Sequence, residues 1–289
     1  MRKVLVIFAV AAFLGALAWR VAGRAEPQFE GRPVSAWLLQ LDYSNRYQDR
    51  LEAARAVRAL GTNTLPAMLR FIAMRDGSWK EKALRLARKQ KWINISWREA
   101  VKYRVCAVEA FAVLGETARP ARPRLLELLR DENAEIRKSV LRAFLAMGLE
   151  PTDLAVFIAC LKDDRTRSEA ADALGTMGPL AASAVPDLLG VVWDTNGVVR
   201  VHPVRALGRI HAQPKAVVPV LIKLLSDPDS EVRNVAAISL GDFGPEAKDA
   251  VPSLRAGLQR GRFADSIGAA LNRIDPEAAE KAGVPYFQR

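Results

Sequence analysis

The stretch DPDSEVRNVAAISLGDFGPEAKDAVPSLRAGL, residues 227–258, decides the fold. Apolar residues recur at helical spacing over its first half, as in Val232, Ala236 and Leu240, which is typical of an amphipathic helix. Asp227-Pro228 supplies an N-cap with a proline in the first turn, and Gly244-Pro245 ends the helix. A second helix follows the turn. In an earlier copy it is represented by PVLIKLL, residues 219–225, with one apolar stripe.

Related stretches begin at Asp131, Asp163 and Asp194. A first column of matching positions is separated by 33, 30, 33 and 33 residues, and a second column lies eight residues further on. Neither helix of a pair can bury its apolar stripe alone, so stacked pairs must share one core. The sequence therefore predicts an all-α protein, an α-solenoid of stacked helix pairs. The columns are Gly115, Gly148, Gly178, His211 and Gly244, then Pro123, Val156, Pro186, Pro219 and Pro252.

Two residues depart from this pattern. Pro203 lies inside a first helix, and His211 stands in the glycine column. Proline removes a backbone donor from a helix, and a histidine fits poorly where the chain turns through a left-handed conformation. We expect a kinked helix at Pro203 and a strained cap at His211.

A third column holds arginines eleven residues before each glycine-column position, and Arg50 has the same place before Gly61. Three aspartates lie six residues before their arginines. Stacked arginines could bind a polyanion, but pairing with aspartates of the same or the adjacent turn is favoured, because it would fix the repeat register. The proposed ladder comprises Arg104, Asp131, Arg137, Arg167, Asp194, Arg200, Asp227 and Arg233.

The N-terminus predicts a membrane-targeting segment. Arg2 and Lys3 precede an uncharged apolar run over residues 4–19, and Arg20 ends it. Its length lies between that of a signal peptide and that of a spanning helix, so either a retained anchor or cleavage after Ala16-Leu17-Ala18 fits. We assign residues 1–28 to this segment with a short linker, and residues 29–289 to the solenoid. Both alternatives place the solenoid across a membrane.

The chain carries a net charge of +11, and most of it is local. Residues 1–28 contribute +3 and residues 79–104 contribute +7, which leaves +1 for the remainder. The second region belongs to an insertion at about 73–100, since Gly61 and Gly115 lie 54 residues apart, about twenty more than one repeat.

The insertion combines basic residues with tryptophans. Such a surface can bind polyanions or anionic lipid headgroups. The alternative, a solvated basic helix whose tryptophans pack on the solenoid, is favoured. The candidate patch is Lys80, Lys82, Arg85, Arg88, Lys89, Lys91, Trp92, Trp97, Arg98 and Lys102.

No motif for catalysis, a metal or a cofactor occurs in the sequence. His202 and His211 have no metal-ligand spacing, and there is no phosphate-binding glycine loop or nucleophile motif. Cys106 and Cys160 lack redox spacing and are interpreted as two separate helix residues, although export would allow a disulfide. We therefore expect a protein that is not an enzyme and has no cofactor.

The pattern D-x-x-x-x-V-R-x-x-A-x-x-x-L-G-x-x-G, followed by A-V-P-x-L, resembles HEAT repeats, in particular the bacterial HEAT-like units of the phycobilisome-lyase type. The resemblance covers residues 48–285 except for the insertion. The stretch FEGRPVSAWLLQLD, from Phe29, is similar to the lead-in of exported bacterial HEAT-repeat proteins of unassigned function. This resemblance implies an α-solenoid. It says little about function, because such arrays serve many roles.

The sequence thus predicts a non-enzymatic scaffold at the exported face of a bacterial inner membrane, anchored through residues 4–19 with the solenoid on the periplasmic side. Cleavage would make it periplasmic or secreted. The expected partner is a protein or peptide, bound on the concave face formed by the second helices, and no specific nucleic acid is expected. Two alternatives are polyanion or anionic-lipid binding through the insertion, and a tetrapyrrole lyase or chaperone activity, which the resemblance implies and export opposes.

Overall fold

The computed structural model describes residues 26–75, 100–195, 197–259 and 264–284. The apolar run at 4–19 and nearly the whole basic insertion lie outside the described residues. Among those that are described, no helix is both long and apolar enough to cross a membrane. The chain divides into two compact units, Met1–Gly148 and Leu149–Arg289, called unit 1 and unit 2.

Unit 1 begins with a short hairpin. Strands β1 (Gln28–Phe29) and β2 (Arg32–Pro33) pair antiparallel and lead into helix α1 (Val34–Leu38). Trp37 of α1 is buried, its indole Nε1 donates to the carbonyl of Phe29 at 3.0 Å, and the Arg32 guanidinium lies 4.1 Å from the ring centroid. The lead-in is therefore an ordered part of unit 1, in contact with its first repeat helices.

The remaining helices of unit 1 alternate between two kinds. A first helix carries the column arginine, and a second helix follows it after a 3₁₀ turn. First helices pack beside one another and bury residues such as Phe111 and Phe144. The helices are α2 (Tyr47–Leu60), α3 (Leu65–Ile72), α4 (Ala100–Leu114), α5 (Arg122–Leu128) and α6 (Ala134–Met147), with α2, α4 and α6 as first helices.

Unit 2 repeats this arrangement. Its first helices are α8, α10, α12 and α14, and each packs against the next. The predicted class, an all-α solenoid of stacked helix pairs, is confirmed. The bounds are α7 (Leu154–Cys160), α8 (Arg167–Met177), α9 (Val185–Val191), α10 (Gly197–Ile210), α11 (Pro214–Leu224), α12 (Ser230–Asp242), α13 (Val251–Gln259), α14 (Ala264–Ile274) and α15 (Pro276–Lys281).

The glycine column marks where each first helix ends. Its members turn the chain through positive φ, a conformation that only glycine adopts without strain. The predicted strained cap at His211 is confirmed by its φ of 50°, and its Nε2 lies 3.0 Å from the Glu246 carboxylate. Helix α10 continues through Pro203 to Ile210. The glycines and their φ values are Gly61 at 54°, Gly115 at 51°, Gly148 at 95°, Gly178 at 58° and Gly244 at 53°.

The predicted N-cap of α12 was wrong by two residues. The helix begins at Ser230, and Asp229 is the N-cap, its carboxylate accepting from the N–H groups of Glu231 and Val232. The Asp227 carboxylate instead accepts from the Asp229 N–H at 2.8 Å and from Arg200. Asp227 is therefore part of the preceding turn, where its carboxylate also accepts a hydrogen bond from Arg200 of the adjacent repeat.

The first helices of unit 2 approach one another at backbone distance. Three residues before the column position, Gly175, Gly208 and Gly241 each face a small residue of the next first helix. A Cβ built on Gly208 would lie 2.7 Å from the Cβ of Ser239 and 2.8 Å from its Cα. The Ser239 hydroxyl donates to the carbonyl of Val204 at 3.0 Å. The repeated L-G dipeptide thus sets the spacing of these helices.

We predict that Gly208→Ala lowers the free energy of unfolding by about 1–3 kcal/mol, because the added methyl group overlaps the Ser239 backbone. The control is Gly190→Ala in α9, where nothing lies within 4 Å of an added Cβ. That change should leave stability unchanged or raise it by up to about 1 kcal/mol, because alanine favours helix. Urea denaturation measures both, and similar losses in the two variants would contradict the proposed close contact.

Candidate functional site

The column arginines are hydrogen bonded within the repeat stack. Arg200 donates from Nη1 to the carbonyl of Asp194 at 2.8 Å and from Nη2 to the Asp227 carboxylate at 2.7 Å. Only 12% of the Arg200 side chain and 6% of the Asp227 side chain are exposed. Since Asp194 precedes the helix of Arg200 and Asp227 precedes the next first helix, one guanidinium joins two successive repeats.

The same geometry recurs elsewhere in unit 2. Arg167 donates to the carbonyl of Leu161 at 2.9 Å and also contacts the carboxylates of Asp164 and Asp194. Arg233 donates to the carbonyl of Asp227 at 2.6 Å. Each acceptor carbonyl lies six residues before its arginine, just beyond a second helix whose end carries partial negative charge. The arginines therefore stabilise these helix ends.

In unit 1 the corresponding groups are also engaged. Arg137 donates to the carbonyl of Asp131 at 2.7 Å, and the buried Arg104 donates to the carbonyl of Met74 at 2.7 Å. Burial alone would raise the pKa of Asp131, but hydrogen bonds from the Asn133 N–H and the Arg75 guanidinium, with the charges of Arg75 and Arg137, hold it below its ordinary value. This geometry favours the register interpretation of the column over polyanion binding.

The basic patch of the insertion cannot be placed in the same way. Lys102 is exposed on α4. The other patch residues lie outside the described residues, so lipid or polyanion binding by the patch stays a prediction. They are Lys80, Lys82, Arg85, Arg88, Lys89, Lys91, Trp92, Trp97 and Arg98.

A groove of about 150 Å³ runs between α4 and α6 in unit 1. One wall is formed by Val101, Val105 and Val108, which lie at positions i, i+4 and i+7 of α4 and so share one stripe of the helix. Val101 is 47% exposed. The other wall includes Arg142 of α6. We call this feature the valine groove. Three β-branched apolar side chains are thus available to a ligand.

Tyr43 stands at one edge of the valine groove. Its side chain is 61% exposed and donates a hydrogen bond to Glu109, a groove residue, while the Arg50 guanidinium lies 4.3 Å from the ring centroid. That hydrogen bond, together with desolvation and the charge of Glu109, raises the pKa of Tyr43 above its ordinary value. Next to Arg50 on α2, Tyr47 and Leu51 are also exposed. Exposed aromatic and apolar side chains therefore accompany the groove.

The first-helix face of unit 2 is more polar. Asp172 of α8 lies 2.9 Å from the Nδ1 of His202 and 3.8 Å from Arg205 on α10. Asp242 of α12 pairs with Arg273 of α14 at 3.1 Å, and burial raises its pKa although positive charges nearby lower it. Neighbouring first helices of unit 2 are thus joined by ion pairs on this face. Within the described residues, no cluster of three or more His, Cys, Asp or Glu side chains could hold a metal.

The described residues of the two units carry opposite net charge. Unit 1 has 16 basic and 11 acidic side chains among them, a net charge of +5, whereas unit 2 has 13 basic and 18 acidic ones, a net charge of −5. The sequence total hid this difference, since the two contributions cancel. Counting charge separately for each repeat would have revealed it.

Both grooves described in this subsection lie between first helices, and the expected binding face on the second helices stays a prediction. A binding face was expected on the second helices, but the valine groove lies between two first helices. A second groove, of about 250 Å³ beside Ile238, also lies between first helices, α12 and α14. The repeat pattern alone does not reveal which helix surface forms a groove, because both kinds of helix have an exposed side.

Comparisons with known proteins agree with this architecture. A family model described as HEAT repeats matches residues 101–175 and 185–272. The structure of Kap121p bound to Pho4p has a TM-score of 0.59 at 14% identity, with 86% of this chain and 30% of that chain covered. A crystal structure of an engineered protein has a TM-score of 0.49 at 20% identity, with coverages of 86% and 82%. No curated protein matches significantly. At 14% identity the likeness to the Kap121p structure concerns the fold alone.

We predict that Arg200→Ala lowers the free energy of unfolding by about 3–5 kcal/mol, because the change leaves the Asp227 carboxylate buried without this cation. The control is Arg205→Ala, whose guanidinium is more exposed and lies 3.8 Å from Asp172. It should cost less than about 1 kcal/mol. Denaturation midpoints that coincide for the two variants would rule out the register role of the column.

Proposed function

Because the chain belongs to the HEAT-repeat family, we propose that it is a non-enzymatic scaffold that binds a partner protein through the first-helix face of unit 1. The observation that carries this proposal is the valine groove with Tyr43 at its edge. Water-exposed apolar side chains gathered in one place are typical of interaction surfaces.

The composition of this surface supports the proposal. Tyrosine and arginine are enriched where proteins bind one another, and Tyr43 and Arg50 are already held against each other. Because Tyr43 is fixed by its hydrogen bond to Glu109, less side-chain entropy is lost when a partner covers it. The surface is thus partly preorganised for binding.

We further propose that the protein is held at the exported face of a bacterial inner membrane. The support comes from the sequence, in which Arg2 and Lys3 precede the uncharged run at residues 4–19. A retained anchor would keep the scaffold at the membrane surface, and cleavage would release it.

We predict the topology as follows. A reporter enzyme that works only outside the cytoplasm, fused after Arg289, should be active, and the fusion should stay with membranes after carbonate extraction. The control is the same fusion without residues 1–25, which should stay inactive in the cytoplasm. A wild-type fusion active in the soluble exported fraction would indicate cleavage, and an inactive one would contradict export.

We predict that a photo-crosslinking amino acid at Tyr47 yields a discrete adduct in cells that make the full-length protein. Tyr47 is 68% exposed and lies one turn before Leu51 on α2. The control places the same amino acid at Glu127, which is similarly exposed but lies on the second helix α5. Mass spectrometry identifies the adduct. Identical adducts at both positions, or none at Tyr47, would contradict binding through this face.

A further inference from the structure

We infer that the valine groove binds an acidic peptide segment of a partner protein that inserts one apolar side chain between α4 and α6. This inference rests on the proposed scaffold function and specifies the chemistry of the partner. Three observations support it: one exposed and two half-buried valines in a groove of limited volume, acidic wall residues that are already paired, and the positive charge of unit 1.

Two of the three valines of α4, Val105 and Val108, have valines at the matching positions of α10, where both are buried. The position of Val105 is occupied by Leu51 on α2 and by Val201 on α10, but by Lys138, Ser168 and Asn234 on α6, α8 and α12. Those three helices present a polar group where α4 presents an apolar one. Val201 is buried in the repeat stack, whereas Val105 is only half-buried and Val101 is 47% exposed. Stacking therefore leaves apolar surface on α4 that a ligand with an apolar side chain would cover.

The size of the groove limits what can enter it. A volume of about 150 Å³ is smaller than the sites that enclose whole small molecules, which hold roughly 300–1,000 Å³. It suits one aliphatic side chain. The rest of the ligand must then lie along the rim, where the side chains of Tyr43 and Lys102 are exposed. This arrangement fits a peptide segment with one anchoring residue.

The charges around the groove favour an acidic ligand. Its two carboxylates are engaged within the protein, since Glu109 accepts from the Tyr43 hydroxyl and Glu135 pairs with Lys138 at 3.3 Å. Arg142 and Lys102 are exposed nearby, and the described part of unit 1 has a net charge of +5. An approaching acidic segment is therefore attracted by the whole unit, and salt should weaken that attraction.

A peptide suits this surface better than a lipid bilayer does. Residues that insert into membranes project outward from the protein, whereas Val105 and Val108 line a recess between two helices. Anionic vesicles would meet the same positive field but could not easily reach these valines. Lipid binding is therefore included as an outcome of the test.

The test measures fluorescence anisotropy of a labelled nine-residue peptide of glutamates and three leucines, titrated with the full-length protein in detergent. We expect saturable binding that weakens as salt is raised. Peptides with lysine in place of glutamate, or with serine in place of leucine, should bind at least about tenfold more weakly. Equal binding of the serine peptide would overturn the inference, because it would exclude a role for the apolar wall.

Variants locate the site. Val105→Asp should weaken binding at least about tenfold, whereas Ser168→Asp, at the matching position of unit 2, should leave it unchanged. If Val105→Asp fails to fold, the pair Lys102→Glu and Arg142→Glu at the exposed rim replaces it, with the same expected loss. Unchanged affinity in folded groove variants would overturn the inference.

Two further outcomes separate this inference from the proposed function. Vesicles containing phosphatidylglycerol that displace the peptide and bind through Val105 would show a lipid site and overturn the peptide inference. A persistent Tyr47 adduct without binding of the acidic peptide would leave the scaffold function standing and reject only the partner chemistry. Loss of both would reject the two together.

Discussion

The guanidinium group that joins successive repeats is the interaction that we propose fixes the repeat register. A single helix pair exposes an apolar stripe on each helix and gains stability only when its neighbours cover those stripes. Arg200 connects the turn before its own helix to the carboxylate of Asp227 before the next one. At the other end of the first helices of unit 2, the contact of Gly208 with Ser239 fixes their separation. Together the two contacts leave neighbouring first helices little freedom to slide past each other.

This arrangement also determines which charges remain for function. The column arginines are directed into the fold, where backbone carbonyls and buried carboxylates accept their hydrogen bonds. The surface that the first helices present to solvent is therefore made of other residues. In unit 1 these include the valines of α4 with Tyr43, and in unit 2 they include the pair formed by Asp172 and His202. The first-helix faces of the two units thus present different chemistry.

The opposite net charges of the two units add a longer-range effect. Charged partners respond to the summed field before they make contact, and this attraction changes association rates more than it changes contact energies. An acidic partner should therefore be drawn to unit 1 and held there by apolar contacts that salt does not screen. In the proposed binding mode, the binding free energy comes partly from electrostatic attraction and partly from apolar contacts.

The sequence by itself determined the helix pairs, their turns and the strain at His211, since these depend on residues close together in the chain. Helical spacing of apolar residues and the need for glycine at positive φ are local rules. They also revealed the arginine column, but they misplaced the N-cap of α12, because the competing use of Asp227 by Arg200 is a contact between repeats.

The tertiary structure alone decided the candidate site. Tyr43 and Glu109 are 66 residues apart in the sequence, and neither their hydrogen bond nor the groove between α4 and α6 follows from the repeat period. The period identifies which residues are equivalent, but not which exposed side chains of neighbouring helices face the same recess. That depends on how the helices pack against one another, so the valines became a candidate binding surface only once α6 was placed beside α4.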